Sequence, residues 1–161
     1  MKNNPYRINA EIVIERPVDK VWEVLTDFSK YPAWNPFIRT AKGKLQKNGK
    51  IFIFLTIPGG LVMLLRPRIL EVKECDEIRW IGSFPVQGLF DGEHVFRLLP
   101  EGEDKTRLVQ QEEFRGILVP YLGKIIGRGA ERGFEAMNEA LKIRLEYPHC
   151  GSGKGRYQAK T

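Results

Sequence analysis

Ile8, Ala10, Ile12 and Ile14 alternate with mostly polar neighbours in YRINAEIVIE at 6–15, the period of two expected of a half-buried strand. The period then changes. Pro17 stands at a first helical position, where its missing N–H costs nothing, and Val18, Val21, Trp22, Leu25 and Phe28 follow at three- and four-residue spacing. This predicts a short helix ending near Asp27. Next comes YPAWNPF at 31–37, with two prolines, three aromatic rings and an asparagine, and room for one further helical turn at its start. That is more stiff apolar surface than a simple connection needs. From 38 onward the pattern is strand-like, over 38–45, 50–57, 62–74, 77–84, 87–99 and 105–115, with turn signals KNGK, PGG, ECDE and PEGEDK between. Consecutive strands with short turns imply an antiparallel meander.

A third period begins near Leu118. Leu122, Ile125, Ile126, Ala130, Phe134, Met137, Leu141 and Leu145 share one side of a helix running to Leu145, and Lys124, Arg128, Glu131, Glu135, Lys142 and Glu146 the other. Such a wide apolar face must lie across a sheet. Gly123, Gly127, Gly129 and Gly133 fall inside this helix, where each costs roughly 0.5–1 kcal/mol relative to alanine. Gly133 and Ala130 notch the apolar face beside Phe134 and Met137. Close packing against the sheet, free volume for a ligand, or a kink or late start near Gly129 would each account for them. Strand, short helix, meander and long helix together predict an α+β layered fold in which a curved antiparallel sheet of about seven strands wraps one helix.

Composition narrows the functional classes. With 161 residues, 42% of them hydrophobic and 29% charged, the chain suits one globular domain over 1–146 with a substantial core. The apolar run at 51–65 is interrupted by Pro58, Gly59 and Gly60 and falls short of the roughly 20 residues of a membrane span. The N-terminus shows no apolar signal core, so a cytoplasmic setting is expected. Half of the net charge of +6 sits after Glu146, in a Gly-rich segment carrying Lys154, Arg156 and Lys160, read as a flexible basic tail over 147–161. The remaining charges are mixed in sign along nearly every element, which argues against nucleic acid as a partner. Cys75, Cys150, His94 and His149 form no metal-ligand spacing, and no metal or other cofactor is expected.

Polar residues on apolar faces are the candidate chemistry. In HVFRLL, His94 shares parity with Phe96 and Leu98, opposite Glu93 and Arg97. In RLVQQEEFR, Gln110 and Glu112 share parity with Leu108 and Phe114. Buried polar groups without partners cost on the order of 1–3 kcal/mol, so this trio needs a purpose. Three readings stand: a structural His94–Glu112 pair across adjacent strands, a polar end of a cavity that orients a ligand, and a general acid/base pair. Trp80 and Gly82 share a face in RWIGSF, as cavity wall or plain core. Arg66 and Arg68 share parity with Leu70 and Val72, which aims a guanidinium at Glu112 unless Pro67 shifts the register.

The segments INAEIVIERPVDKVWEVLTDFSKYPAWNPFI (8–38), RPRILEV (66–72), RWIG (79–82), GEHVFRL (92–98) and EEFRGILVP (112–120) resemble the START-like superfamily with the helix-grip fold, in its polyketide cyclase/dehydrase and lipid-transport group. The resemblance spans 6–146. It implies an elongated apolar cavity between sheet and helix, with Trp34 and Phe37 as a wall near one end, or, with Tyr31, as a plug of the core. With it come Trp80, His94, Phe96, Gln110, Glu112, Phe114, Ala130, Gly133, Phe134 and Met137 as candidate ligand contacts. The implied function is binding or transport of a small hydrophobic molecule such as a lipid, isoprenoid or polyketide-like compound. Since the fold hosts many activities, a cyclase or dehydratase using a polar group in the cavity and a protein-interaction module stand beside it.

Overall fold

The computed structural model describes residues 5–148. Alternation places β1 (Tyr6–Ile14) with Ile8, Ala10 and Ile14 buried. Pro17 stands one position before α1 (Val18–Thr26), and its carbonyl accepts the Val21 N–H at 3.2 Å. A single 3₁₀ turn (Phe28–Lys30) leads into α2 (Tyr31–Trp34), so the first four residues of YPAWNPF are a helical turn. β2 (Ile38–Lys42), β3 (Phe52–Ile57) and β4 (Leu61–Leu65) form a three-stranded sheet. β5 (Arg68–Lys73), β6 (Glu77–Ser83), β7 (Asp91–Pro100) and β8 (Thr106–Arg115) form a second sheet with β1, in the order β1-β8-β7-β6-β5. All pairings are antiparallel.

The described strands therefore number eight, in two sheets, where the pattern predicts seven in one. The expected strand 62–74 is two, because Pro67 turns its side chain inward and leaves both Arg66 and Arg68 exposed. Proline lacks the N–H a ladder needs. The sheets stay linked where Ile51 N–H donates to Pro67 O at 3.0 Å and Ile69 N–H to Gly49 O at 2.8 Å. The strand expected from 87 begins at Asp91, whose carboxylate instead accepts the Gly88 N–H at 2.9 Å and closes a turn.

α3 (Val119–Glu146) packs along β1 and also touches β8, β3, α1 and α2. Its glycines are contact points. A Cβ at Gly123 would sit 3.5 Å from Tyr6 Cβ, one at Gly127 3.1 Å from Tyr6 Cζ, and one at Gly133 2.8 Å from Phe37 Cγ. At Gly129 it would meet the side chain of Ile57. Close approach, not free volume, offsets their helix cost. The buried stripe runs through Gly123, Gly127, Ala130, Phe134, Asn138, Leu141 and Leu145. Ile125, expected on this face, is 73% exposed, because it lies two residues from both Gly123 and Gly127 and so on the opposite side. The helix end is tied to β1: Lys142 Nζ donates to Val13 O at 2.7 Å and Arg16 Nε to Leu145 O at 2.9 Å. Lys142 and Glu146, expected on the solvent side, are half-buried for this reason. The basic segment expected over 147–161 lies, from His149 on, outside the described residues.

The outer face of the larger sheet is an ion-pair lattice centred on Glu77, which is 5% exposed. Burial on its own pushes the Glu77 carboxyl up, but hydrogen bonds from Arg97 at 2.7 Å and Arg79 at 2.9 Å, with both guanidinium charges, outweigh it and hold the group below the ordinary carboxylate range. A group depressed in the folded state contributes stability above its unfolded value and loses it as pH falls through the folded one. Glu77→Gln is therefore expected to lower urea stability by about 1–3 kcal/mol at neutral pH. That deficit should narrow steadily in acid, and a pH-independent deficit would show that the charge is irrelevant. Gly133→Ala should lower the melting temperature, since overpacking against Phe37 costs about 1–3 kcal/mol and exceeds the roughly 1 kcal/mol gained in helix propensity. A raised melting temperature would show that the ring yields freely.

Candidate functional site

A cleft of about 530 Å³, counted out to its mouth, opens between the inner faces of the two sheets and the middle of α3. Its narrow interior leaves about 60 Å³ for the centres of water-sized molecules. The floor is bare backbone: Gly82 of β6 pairs with Gly92 of β7, and both line the space. Strand residues without side chains are poor sheet formers, and here their effect is to leave room above the sheet. Trp80 and Phe114 rise beside this floor, Phe37 and Ala130 bound it toward the helix, and Met63 faces it from β4. Phe84 lines the cleft while 42% exposed, which places it at the mouth.

Glu112 is the one ionisable side chain lining this cleft among the described residues. It lies in register with His94 and next to Gly92, where a Cβ would stand 3.4 Å from the Glu112 Cδ. Glycine at 92 thus lets the carboxylate lean over the floor. His94 Nδ1 is 3.5 Å from Glu112 Oε2, an ion-pair separation if the imidazole is protonated but beyond a normal hydrogen bond. The imidazole itself is 4% exposed, stacked on Trp80 at 5.2 Å and met edge-on by Phe134 at 4.7 Å. Its Nε2 has no hydrogen-bond partner among the described residues.

Of the residues expected at the site, Phe37, Trp80, Glu112, Phe114 and Ala130 come together around the cleft. His94, Phe96, Phe134 and Met137 are buried behind that lining, and Gly133 is covered by Phe37. Gln110 is fully buried and donates to Asn138 Oδ1 of α3 at 2.7 Å. Trp34 stands apart: it is half-buried and packs edge-on against Tyr31, with ring centres 5.1 Å apart. Tyr31 is core, donating its hydroxyl to Leu25 O at 2.6 Å. Burial, with a smaller contribution from the Asp27 charge, pushes its phenol far above the ordinary range. Both Arg66 and Arg68 point outward, so neither is the partner expected for Glu112.

Sequence reasoning missed several contributors. Asn35 is fully buried and its side-chain oxygen accepts the N–H groups of Phe37 at 3.0 Å and Ile38 at 2.9 Å, which aims the Phe37 ring at α3. Asn138 was legible from its four-residue spacing to Phe134 and three-residue spacing to Leu141. Gly92 carried the signal of an isolated glycine within a strand. Met63 was hidden in LVMLL, where apolar residues at both parities erase the alternation.

Two sheets folded about a long C-terminal helix, with a cleft between them, define the START-like class with the helix-grip fold. Residues 5–146 match the model of the polyketide cyclase / dehydrase and lipid transport family, and the chain belongs to that family. Among solved structures it is similar to a START superfamily protein from Mycobacterium smegmatis, at 21% identity and TM-score 0.70, with 87% of this chain and 97% of that one covered. It is also similar to the Zhui aromatase/cyclase from Streptomyces sp. R1128, at 16% identity and TM-score 0.72, with 89% and 94% covered. The di-domain aromatase/cyclase StfQ of the steffimycin biosynthetic pathway gives 15% identity and TM-score 0.71, with 89% of this chain and 52% of that one covered. At these identities the likeness establishes the fold. No curated protein sequence matches the chain. Among the described residues no group of three His, Cys, Asp or Glu is placed to hold a metal, and no helix is long and apolar enough to cross a membrane.

The Gln110–Asn138 pair is testable on its own. Gln110→Leu should cost about 1–3 kcal/mol by stranding Asn138, and the double variant with Asn138→Leu should recover part of it, since removing both partners is far cheaper than removing one. A double variant that loses the sum of the two single losses would show that the amides contribute independently.

Proposed function

We propose that the protein binds a small hydrophobic molecule, of lipid, isoprenoid or polyketide-like character, in the cleft over Gly82 and Gly92. The observation that carries this reading is the composition of the cleft: a bare floor, aromatic and aliphatic walls, and a single ionisable group. Apolar walls supply affinity, and a few polar groups, here Glu112 with Ser83, supply orientation. Family membership and the aromatase/cyclase neighbours support it at the level of class. Pockets that bury a drug-sized ligand measure roughly 300–1,000 Å³, so occupancy requires the narrow interior to widen. Met63, with its flexible thioether, and the half-exposed Phe84 are the side chains placed to give way.

A second reading rests on Glu112. A carboxylate at the cleft surface with an imidazole 3.5 Å behind it has the makings of an acid/base pair. On this reading a bound polyketide-like chain would lose or gain a proton at Glu112, and His94 would tune that group from the core side.

Native mass spectrometry of freshly purified protein should reveal a small organic adduct released on denaturation. Gly82→Val should weaken binding of that molecule, or of an apolar fluorescent probe, by about tenfold or more, equivalent to about 1.4 kcal/mol. The substitution fills the floor with little strain, because a Cβ there meets only Pro67 Cβ, at 3.6 Å. No adduct and no probe binding, or undiminished binding by a folded Gly82→Val variant, would sink the proposal. Glu112→Gln separates the two readings: retained binding with lost turnover favours the enzyme.

A further inference from the structure

The outward side of α3 near its N-terminal end is apolar where a solvent face should be polar. Tyr121 and Ile125 are 75% and 73% exposed at four-residue spacing on a single stripe, and Ile117, in the turn just before the helix, is 63% exposed. The stripe continues through Arg128 and Arg132, both exposed, with Lys124 alongside. Across a shallow groove lies the β3–β4 turn, followed by Leu61, the first residue of β4, which is 51% exposed. Lys124, Arg128 and Arg132 line that groove together with Leu61 and Ile125, and no acidic residue does. The sequence accounts for this: neither 51–70 nor 116–130 contains an aspartate or glutamate.

Large apolar side chains interleaved with cations that line the groove without an acidic residue, Glu131 and Glu135 lying outside it, match a lipid interface, where rings and aliphatic groups enter the acyl boundary while basic groups meet anionic headgroups. A second copy of this chain fits poorly, since a two-fold interface would set Lys124, Arg128 and Arg132 against their own images. Nucleic acid would use the cations but gain nothing from exposed Ile125 and Leu61. The groove also adjoins the cleft, for Ile57 and Ile126 line both. We infer that the β3–β4 turn and the outer stripe of α3 form a peripheral docking surface for an anionic lipid bilayer, which sets the mouth of the cleft against the membrane. This surface does not depend on whether the cleft carries a ligand or transforms one.

The test uses the full chain and sedimentation with large unilamellar vesicles, of phosphatidylcholine alone or with about a third phosphatidylglycerol, at low and high salt. Binding should require the anionic lipid and weaken with salt. Two double variants separate the components: Lys124→Glu with Arg128→Glu, and Leu61→Ser with Ile125→Ser. Each should reduce partitioning by about tenfold or more, the first because a basic residue at an anionic surface contributes roughly fivefold, the second because apolar area is withdrawn from the acyl boundary. All four side chains are exposed, so melting temperatures should hold. Both variants keep Lys154, Arg156 and Lys160, so any attraction those residues supply is common to every sample. The inference is overturned if the unmodified protein ignores anionic vesicles, if both variants bind as well as it does, or if light scattering shows a dimer that Leu61→Ser with Ile125→Ser dissolves.

Discussion

Everything in this molecule is spaced by how closely α3 approaches its neighbours. Four glycines let Tyr6, Ile57 and Phe37 come against the helix axis where ordinary side chains would hold them away. Each glycine gives up helix propensity, and the contact it admits is van der Waals packing at interior density. Three separate elements converge on one helix in this way: β1 through Tyr6, the three-stranded sheet through Ile57, and the segment after α2 through Phe37. The position of the smaller sheet relative to the larger one, and so the width of the gap between them, follows from those contacts.

The cleft and the helix contacts draw on different glycines. Gly133 and Ala130 suggest an empty notch when read along the helix, but Phe37 fills that notch, held there by the Asn35 side chain. Free volume lies instead over Gly82 and Gly92, on the sheet side. Behind it the polar residues divide by location. Gln110 and Asn138 share one hydrogen bond in the core, with Gln110 Oε1 and Asn138 Nδ2 lacking partners among the described residues, whereas Glu112 reaches the cleft surface and His94 is clamped between Trp80 and Phe134 with one nitrogen lacking a partner.

Period carried most of the fold. Alternation in β1, β7 and β8 placed Ile8, His94, Phe96, Gln110 and Phe114 inward, and helical spacing placed α1 and α3. It failed where period was ambiguous or interrupted. LVMLL is apolar at both parities, so Met63 could not be assigned a face, and the parity of Arg66 and Arg68 reversed because Pro67 occupies the inward position between them. Ile125 was grouped with the buried face although glycines, invisible to a count of apolar residues, form much of that face. The site was legible only in part for the same reason. Trp80, Glu112 and Phe114 follow from strand parity, but a void is set by what is absent, and two glycines become a floor only when strand register brings them side by side.

That division of labour makes the interior divisible for evolution. At Gly82 one added methyl would meet only Pro67, in ordinary contact, while at Gly92 it would collide with the Glu112 carboxylate. The depth of the cleft can therefore be graded by one residue without moving α3 or the charged anchor. The size of the space is, in such a scaffold, a variable separate from the helix contacts that hold the sheets in place.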